Sequence, residues 1–314
     1  MLSANLDASD MKTKLNINIG KLRLKNPVMA ASGTFGTEYG ELVDINSLGA
    51  YITKTVTLNA RIGNPPPRVC ETPSGMLNSI GLENGGLDDF IKNKIPGLKR
   101  LKIPLVVSIA GDDAGEFKEL ARGLSKIKKI AALEINLSCP NVKHGKRDFL
   151  IAQDEGATYE IIEAVRRSTA LTVIAKLSPN VTDIKIIAKA AERSGADAVS
   201  LVNTLIGMAV DIDTKRPVLG NVTGGLSGPA IKPVALRMVR EAYNSTRIPV
   251  VGIGGIMDYK DAVEFMLCGA SAVQVGTANF VNPSASTGII DGIKSYMAKN
   301  GIKEIKELIG ALKR

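Results

Sequence analysis

Short apolar runs, each rich in β-branched side chains, recur along the chain at 28–31, 50–53, 105–109, 133–137, 173–177, 198–202, 250–253 and 272–275. A strand with one wet face alternates polar and apolar residues, whereas a strand apolar throughout is covered on both faces, as in a parallel sheet. Stretches with helical periodicity fall between the runs, at 87–99, 114–129, 156–169, 182–194, 230–244, 258–268 and 285–298. Gly195 and Gly269 stand just beyond two of them, where glycine ends a helix. Eight strands with crossover helices predict an α/β fold of the (β/α)8 (TIM) barrel type. A doubly wound parallel sheet is the other fold that this alternation permits.

Segments 15–19 and 21–24 flank Gly20 ahead of the first run, in the pattern of an N-terminal β-hairpin closing the barrel bottom. Residues 56–86 are rich in Pro, Gly and Asn and too long for a simple connection, so inserted loops are expected over the C-terminal face. Residues 1–14 read as a flexible N-terminal extension, with Met11 a second candidate start, and 15–314 as a single barrel domain. The opening MLSANLDASDMKTK lacks the apolar core of a signal peptide. No run is long enough to span a bilayer.

Chemistry in such a barrel sits at the C-terminal ends of the strands. Those ends carry Ser32-Gly33-Thr34, Lys54-Thr55, Asn136, Lys176, Asn203-Thr204, Gly254-Gly255 and Gly276-Thr277. A lysine in an apolar strand is costly unless it faces a site or a partner. Two at corresponding strand ends, Lys54 and Lys176, point to an anionic or electron-rich ligand. Glycines after the seventh and eighth strands let backbone N–H groups approach a phosphate. Gly224-Gly225-Leu226-Ser227-Gly228 adds a third glycine-rich loop. No G-x-G-x-x-G fingerprint follows a strand, so the phosphate is read as part of a mononucleotide.

Three cysteines, Cys70, Cys139 and Cys268, are too scattered for a disulfide framework or a zinc site, which fits a cytoplasmic protein. Cys139 follows an apolar run and opens a loop with a proline and two carboxamides, Asn136-Leu137-Ser138-Cys139-Pro140-Asn141. A thiol there is a candidate acid, base or nucleophile. Cys268 reads as core. The net charge of +9 is spread over helices, and aromatics make up only 4%, so solvated faces are expected rather than a nucleic-acid surface.

Several motifs together resemble the dihydroorotate dehydrogenase family. They are Ser32-Gly33-Thr34-Phe35-Gly36, Asn64-Pro65-Pro66-Pro67-Arg68, Asn78-Ser79-Ile80-Gly81-Leu82, the loop from Asn136 to Gly145, Leu177-Ser178-Pro179-Asn180-Val181-Thr182-Asp183-Ile184, and the segment from Gly224 to Pro233. The resemblance runs from about residue 14 to the C-terminus and is nearest the class 1B catalytic subunit. It implies an FMN enzyme of pyrimidine synthesis that oxidises dihydroorotate to orotate, Cys139 taking the C5 proton while hydride leaves C6 for the flavin. Matched residues then take roles. Lys54 touches flavin and substrate. Asn78, Ser79, Ile80, Gly81, Leu82, Asn136, Asn203 and Thr204 bind the substrate. Ser32, Thr55, Ser108, Asn136, Lys176 and Val202 contact the flavin, and Gly228, Gly254, Gly255, Gly276 and Thr277 wrap its phosphate. Family members often carry asparagine at the position of Ser108. No metal is implied on this chain.

Class 1B also implies a partner carrying FAD and a [2Fe–2S] cluster, in a two-plus-two assembly that delivers electrons to NAD. This chain's three scattered cysteines cannot hold such a cluster. His144, the one histidine, is read as part of a lid rather than as the base. A fumarate-using class 1A enzyme, a dihydropyrimidine dehydrogenase-like enzyme and a catalytically silent phosphate-binding barrel are the alternatives.

Overall fold

A computed structural model describes residues 13–137 and 151–313. The apolar runs form β1 (Val28–Ala30), β2 (Tyr51–Ile52), β3 (Leu105–Ile109), β4 (Ile130–Asn136), β5 (Thr172–Lys176), β6 (Ala198–Leu201), β7 (Val250–Ile253) and β8 (Ala270–Val275). They make one sheet in the order β1-β8-β7-β6-β5-β4-β3-β2, with every neighbouring pair parallel. The Gly49 N–H, just before β2, donates to the Val28 carbonyl of β1 at 2.8 Å. That bond brings the two edges together in a nearly closed barrel rather than a doubly wound sheet.

The crossover helices include α1 (Ala114–Ser125), α2 (Glu155–Arg166), α3 (Ile184–Arg193), α4 (Lys232–Ser245), α5 (Tyr259–Leu267) and α6 (Ala285–Lys299). Their starts follow from local chemistry. Asp113, Asp154, Asp183 and Asp258 each accept hydrogen bonds from backbone N–H groups of the first turn. Each helix buries one stripe, as α1 does with Phe117, Leu120, Ala121 and Leu124. α1 is four residues shorter than its periodicity suggests, because β4 begins at Ile130, ahead of the expected 133.

The barrel lumen has a core of its own. Met29, Val106, Ile174 and Val251 come from the odd strands, and Ile52, Ala132, Ala198 and Ala272 from the even ones. Side chains from alternate strands fill such a lumen in layers. Ile19, Leu22 and Leu24 of the hairpin Ile17–Ile19/Leu22–Leu24 belong to the same cluster and plug it from below. Below the plug the chain's two ends clasp: the Lys14 N–H donates to the Lys303 carbonyl at 2.8 Å, and the Ile305 N–H to the Lys14 carbonyl at 2.9 Å.

Strand alternation places the next inward residues of β4, β5, β6 and β8 at Glu134, Lys176, Ser200 and Gln274. All four are buried, so the lumen turns from apolar to polar toward its C-terminal end.

The insertions add a four-stranded antiparallel sheet in the order Leu205–Met208, Thr223–Ser227, Gly75–Asn78, Val69–Thr72. This corrects the expectation of a glycine-rich loop at 224–228, since Thr223–Ser227 is a strand. The reason is steric. A Cβ on Gly224 would lie 2.7 Å from the Asn78 carbonyl oxygen, and one on Gly225 1.9 Å from Thr204 Oγ1. These glycines allow close strand packing, and only Gly228 continues into the turn.

Candidate active site

A cavity of about 360 Å³ opens at the C-terminal ends of the strands. Pockets for cofactors and small ligands run from about 300 to 1,000 Å³. Ser32, Lys54, Thr55, Asn78, Ile80, Gly81, Leu82, Asn136, Lys176, Val202, Asn203, Thr204, Gly228, Gly254, Gly255, Gly276 and Thr277 all line it. Seven of the eight barrel strands, all but β3, therefore send their last residues, or those just after them, into one space.

Ser79 and Ser108 are not among the lining residues. Ser79 is buried, its N–H donating to the Arg68 carbonyl at 2.7 Å and its Oγ accepting from Asn64 Nδ2 at 3.0 Å. It sits in the turn between Asn78 and Ile80, which do line the cavity. Ser108 is buried one layer further down and shares a 2.9 Å hydrogen bond with Thr55 Oγ1. Its bearing on the cavity runs through Thr55. Cys139, and the loop with His144, lie outside the described residues.

The polar floor is a connected network. Thr55 Oγ1 also accepts from Asn136 Nδ2 at 3.3 Å, and Asn136 Oδ1 accepts from Asn203 Nδ2 at 3.4 Å. Asn78 Nδ2 donates to the Gly225 carbonyl at 3.3 Å, which fixes that carboxamide on the other wall. Three carboxamides from separate segments thus offer donors and acceptors to a planar polar ligand.

Lys54 is exposed to the cavity mouth, whereas Lys176 is buried at its base, 5% exposed. Lys176 Nζ donates to Ser32 Oγ at 3.3 Å and lies 3.6 Å from Glu134 Oε1. Sequence reasoning passed over Glu134, Ser200 and Gln274. The signal was present: a glutamate in Ala131-Ala132-Leu133-Glu134-Ile135 is as anomalous in a buried strand as the lysine of β5.

Gly228, Gly254, Gly255, Gly276 and Thr277 meet at one wall of the cavity. Gly255 has φ +74°, and a Cβ there would come within 2.9 Å of the Gly228 carbonyl oxygen and 3.0 Å of the Lys232 nitrogen. Only glycine fits that bend. Thr277 Oγ1 donates to Ser227 Oγ at 2.8 Å, which holds the β8 loop against the sheet insertion. Lys232, beneath this wall, is raised above its ordinary value, chiefly by its hydrogen bond to Asp261 and further by Glu264. The lysine is thus spent on those carboxylates and does not line the cavity. Among the described residues no cluster of His, Cys, Asp or Glu could hold a metal ion.

Of the two other cysteines, Cys70 lies on the half-exposed strand Val69–Thr72, and Cys268 packs partly against the core, its thiol pushed up by burial.

The chain is similar to known proteins along nearly its whole length. Residues 14–297 match the family model described as dihydroorotate dehydrogenase. The chain is 53% identical over 304 residues to the Geotalea daltonii protein named dihydroorotate dehydrogenase B (NAD(+)), catalytic subunit, covering 96% of this chain and 99% of that one. It is 54% identical over 301 residues to the protein of the same name from Thermoanaerobacter pseudethanolicus, covering 95% and 99%. The crystal structure of DHODH from Eimeria tenella in complex with ferulenol superposes with a TM-score of 0.80 at 25% identity, covering 99% of this chain and 91% of that one.

Proposed function

The chain belongs to the dihydroorotate dehydrogenase family, and on that premise we propose that it is the FMN-binding catalytic subunit of an NAD-linked dihydroorotate dehydrogenase, oxidising (S)-dihydroorotate to orotate in pyrimidine synthesis. The observation that carries this reading is the convergence of two lysines, three carboxamides and a glycine-lined wall on one cavity. The donor set fits FMN. The wall of Gly228, Gly254, Gly255 and Gly276 carries no side chain, which leaves its backbone open to a phosphate. Lys176 and Ser32 stand where a ring could rest, with apolar Val202, Ile231 and Ile253 beside them. Bound there, FMN supplies the acceptor for the hydride that leaves C6 of the substrate.

The chain's own residues do the rest. Asn78, Asn136 and Asn203 orient the amide edges of the substrate, and Lys54 meets its carboxylate. Ile80, Gly81, Leu82 and Thr204 complete the enclosure. Cys139, three positions beyond Asn136 in the sequence, takes the C5 proton on the face opposite the hydride acceptor. Onward delivery of the electron pair to NAD would fall to a separate subunit holding FAD and a [2Fe–2S] cluster, in an assembly of two catalytic and two electron-transfer subunits.

The test is anaerobic mixing of the purified chain with dihydroorotate. The protein should be yellow, release FMN on denaturation, and bleach on substrate addition. Cys139→Ala should abolish bleaching while orotate still perturbs the flavin spectrum. A protein that reconstitutes with no FMN, or an alanine variant that bleaches normally at neutral pH, refutes the assignment.

A further inference from the structure

Glu134 is fully buried in the lumen, one layer beneath the cavity. Its Oε2 accepts hydrogen bonds from Gln274 Nε2 at 2.6 Å and Ser200 Oγ at 3.1 Å. Its Oε1 has no hydrogen-bond partner among the described residues, and Lys176 Nζ stands 3.6 Å from it. That separation is long for a hydrogen bond but within ion-pair range. Lys176, on the neighbouring strand, donates in the other direction to Ser32 at the cavity base. Glu134 and Asn136, two residues apart, share one face of β4, the first lying by the lysine and the second lining the cavity above it.

An isolated buried carboxylate is strongly disfavoured, and an isolated buried ammonium equally so. Each therefore makes the other tenable. Gln274 and Ser200, from β8 and β6, clamp one carboxylate oxygen and so aim the other at β5. The lysine is held at one spot, and its field at the cavity base is partly offset by the carboxylate.

We propose that Glu134 is a positioning residue that acts through Lys176: it seats the ammonium beneath the cavity and sets how much positive charge the bound cofactor meets. The inference rests on the FMN reading for its consequence, but not for the ion pair itself.

Glu134→Gln tests it. The amide keeps the volume and can accept from Ser200 and Gln274, but it turns a donor toward the ammonium. An unbalanced lysine favours the electron-rich reduced flavin, so the reduction potential of the FMN-loaded protein should rise. In a Lys176→Met background the same substitution should leave the potential near where Lys176→Met alone puts it, because no ammonium is left for residue 134 to seat or balance. No change, a fall, or an equal rise in both backgrounds overturns the proposal.

Thermal unfolding of the flavin-free protein tests the pair independently. Each single variant should unfold below wild type, and the double variant above the less stable single. Additive losses overturn it. If Glu134→Gln alone does not fold, Lys176→Met against the double variant decides, and a double variant no more heat-stable than Lys176→Met counts against the pair. Wild-type protein that binds no FMN would instead sink the cofactor assignment and leave the unfolding comparison standing.

Discussion

Two glycines of the cavity wall should separate binding from folding when each is changed to alanine. Gly276 lies outside the left-handed region, and a Cβ there would meet only Ala31 Cβ and Thr34 Cγ2, both at 3.8 Å, an ordinary contact distance. Both neighbours line the cavity, so the new methyl enters ligand space without straining the fold. The midpoint of flavin-free Gly276→Ala should stay within about 2 °C of wild type. A methyl that displaces a phosphate from one charge-assisted hydrogen bond costs about 1.5–3 kcal/mol. That is about 10- to 150-fold in Kd.

Gly255→Ala differs in both respects. Its φ of +74° costs about 1–2 kcal/mol for an L side chain. The Cβ would lie 2.7 Å from Lys232 Cβ and 2.9 Å from the Gly228 carbonyl oxygen, and such overpacking costs about 1–3 kcal/mol more. Gly255→Ala should therefore lose stability as well as FMN. The assays are quenching of FMN fluorescence on titration with apoprotein, and thermal unfolding. Wild-type affinity in Gly276→Ala, or a midpoint as depressed as that of Gly255→Ala, would refute the placement of the phosphate at this wall.

Leu24→Ala, in the hairpin plug, should cost about 2–5 kcal/mol in chemical denaturation, as deletion from a packed core does; a loss under 1 kcal/mol, on the order of an exposed substitution, would contradict the plug. Burial pushes Asp261 up, but the Lys232 hydrogen bond and the N–H groups of Met257 and Asp258 outweigh it, so its carboxyl sits below the ordinary 3.8. Its contribution is then present above that pH and lost as pH falls through the lower folded-state value, so Asp261→Asn should flatten the acid limb of a stability-versus-pH curve. An acid limb as steep as wild type would count against it. Dihydroorotate should drive NADH formation only when the electron-transfer subunit is added to the purified chain; brisk NADH production by the chain alone would end the two-subunit proposal.

The barrel was legible because parallel strands leave an unmixed apolar signature, with helical periodicity between the runs and Gly195 and Gly269 marking where helices stop. The cavity was legible for a related reason: Lys54, Asn136, Lys176 and Asn203 stand at the ends of those same runs, and the fold brings strand ends together. The sheet insertion was not. Val69–Thr72 and Gly75–Asn78 are half exposed and carry no core pattern, and Gly224 and Gly225 look like loop residues until a neighbouring strand supplies the steric reason for them. Glu134 escaped notice because one charge does not break an apolar average. Its meaning depends on β5, β6 and β8, which sequence proximity does not connect.

The clasp beneath the barrel has a bearing on how the molecule is made. Lys14 and Glu304 pair across 290 residues, beside the backbone bonds that join 14 to 303 and 305. On a ribosome, the first of these groups waits for nearly the entire polypeptide to emerge before its partner exists. Closing so long a loop adds only logarithmically to the entropic cost, but it delays the event. The lumen plug can therefore gather early around the first strands, whereas the seal below it is a late, post-synthetic step. Stalled or shortened nascent chains would carry the barrel's underside open to chaperones and proteases.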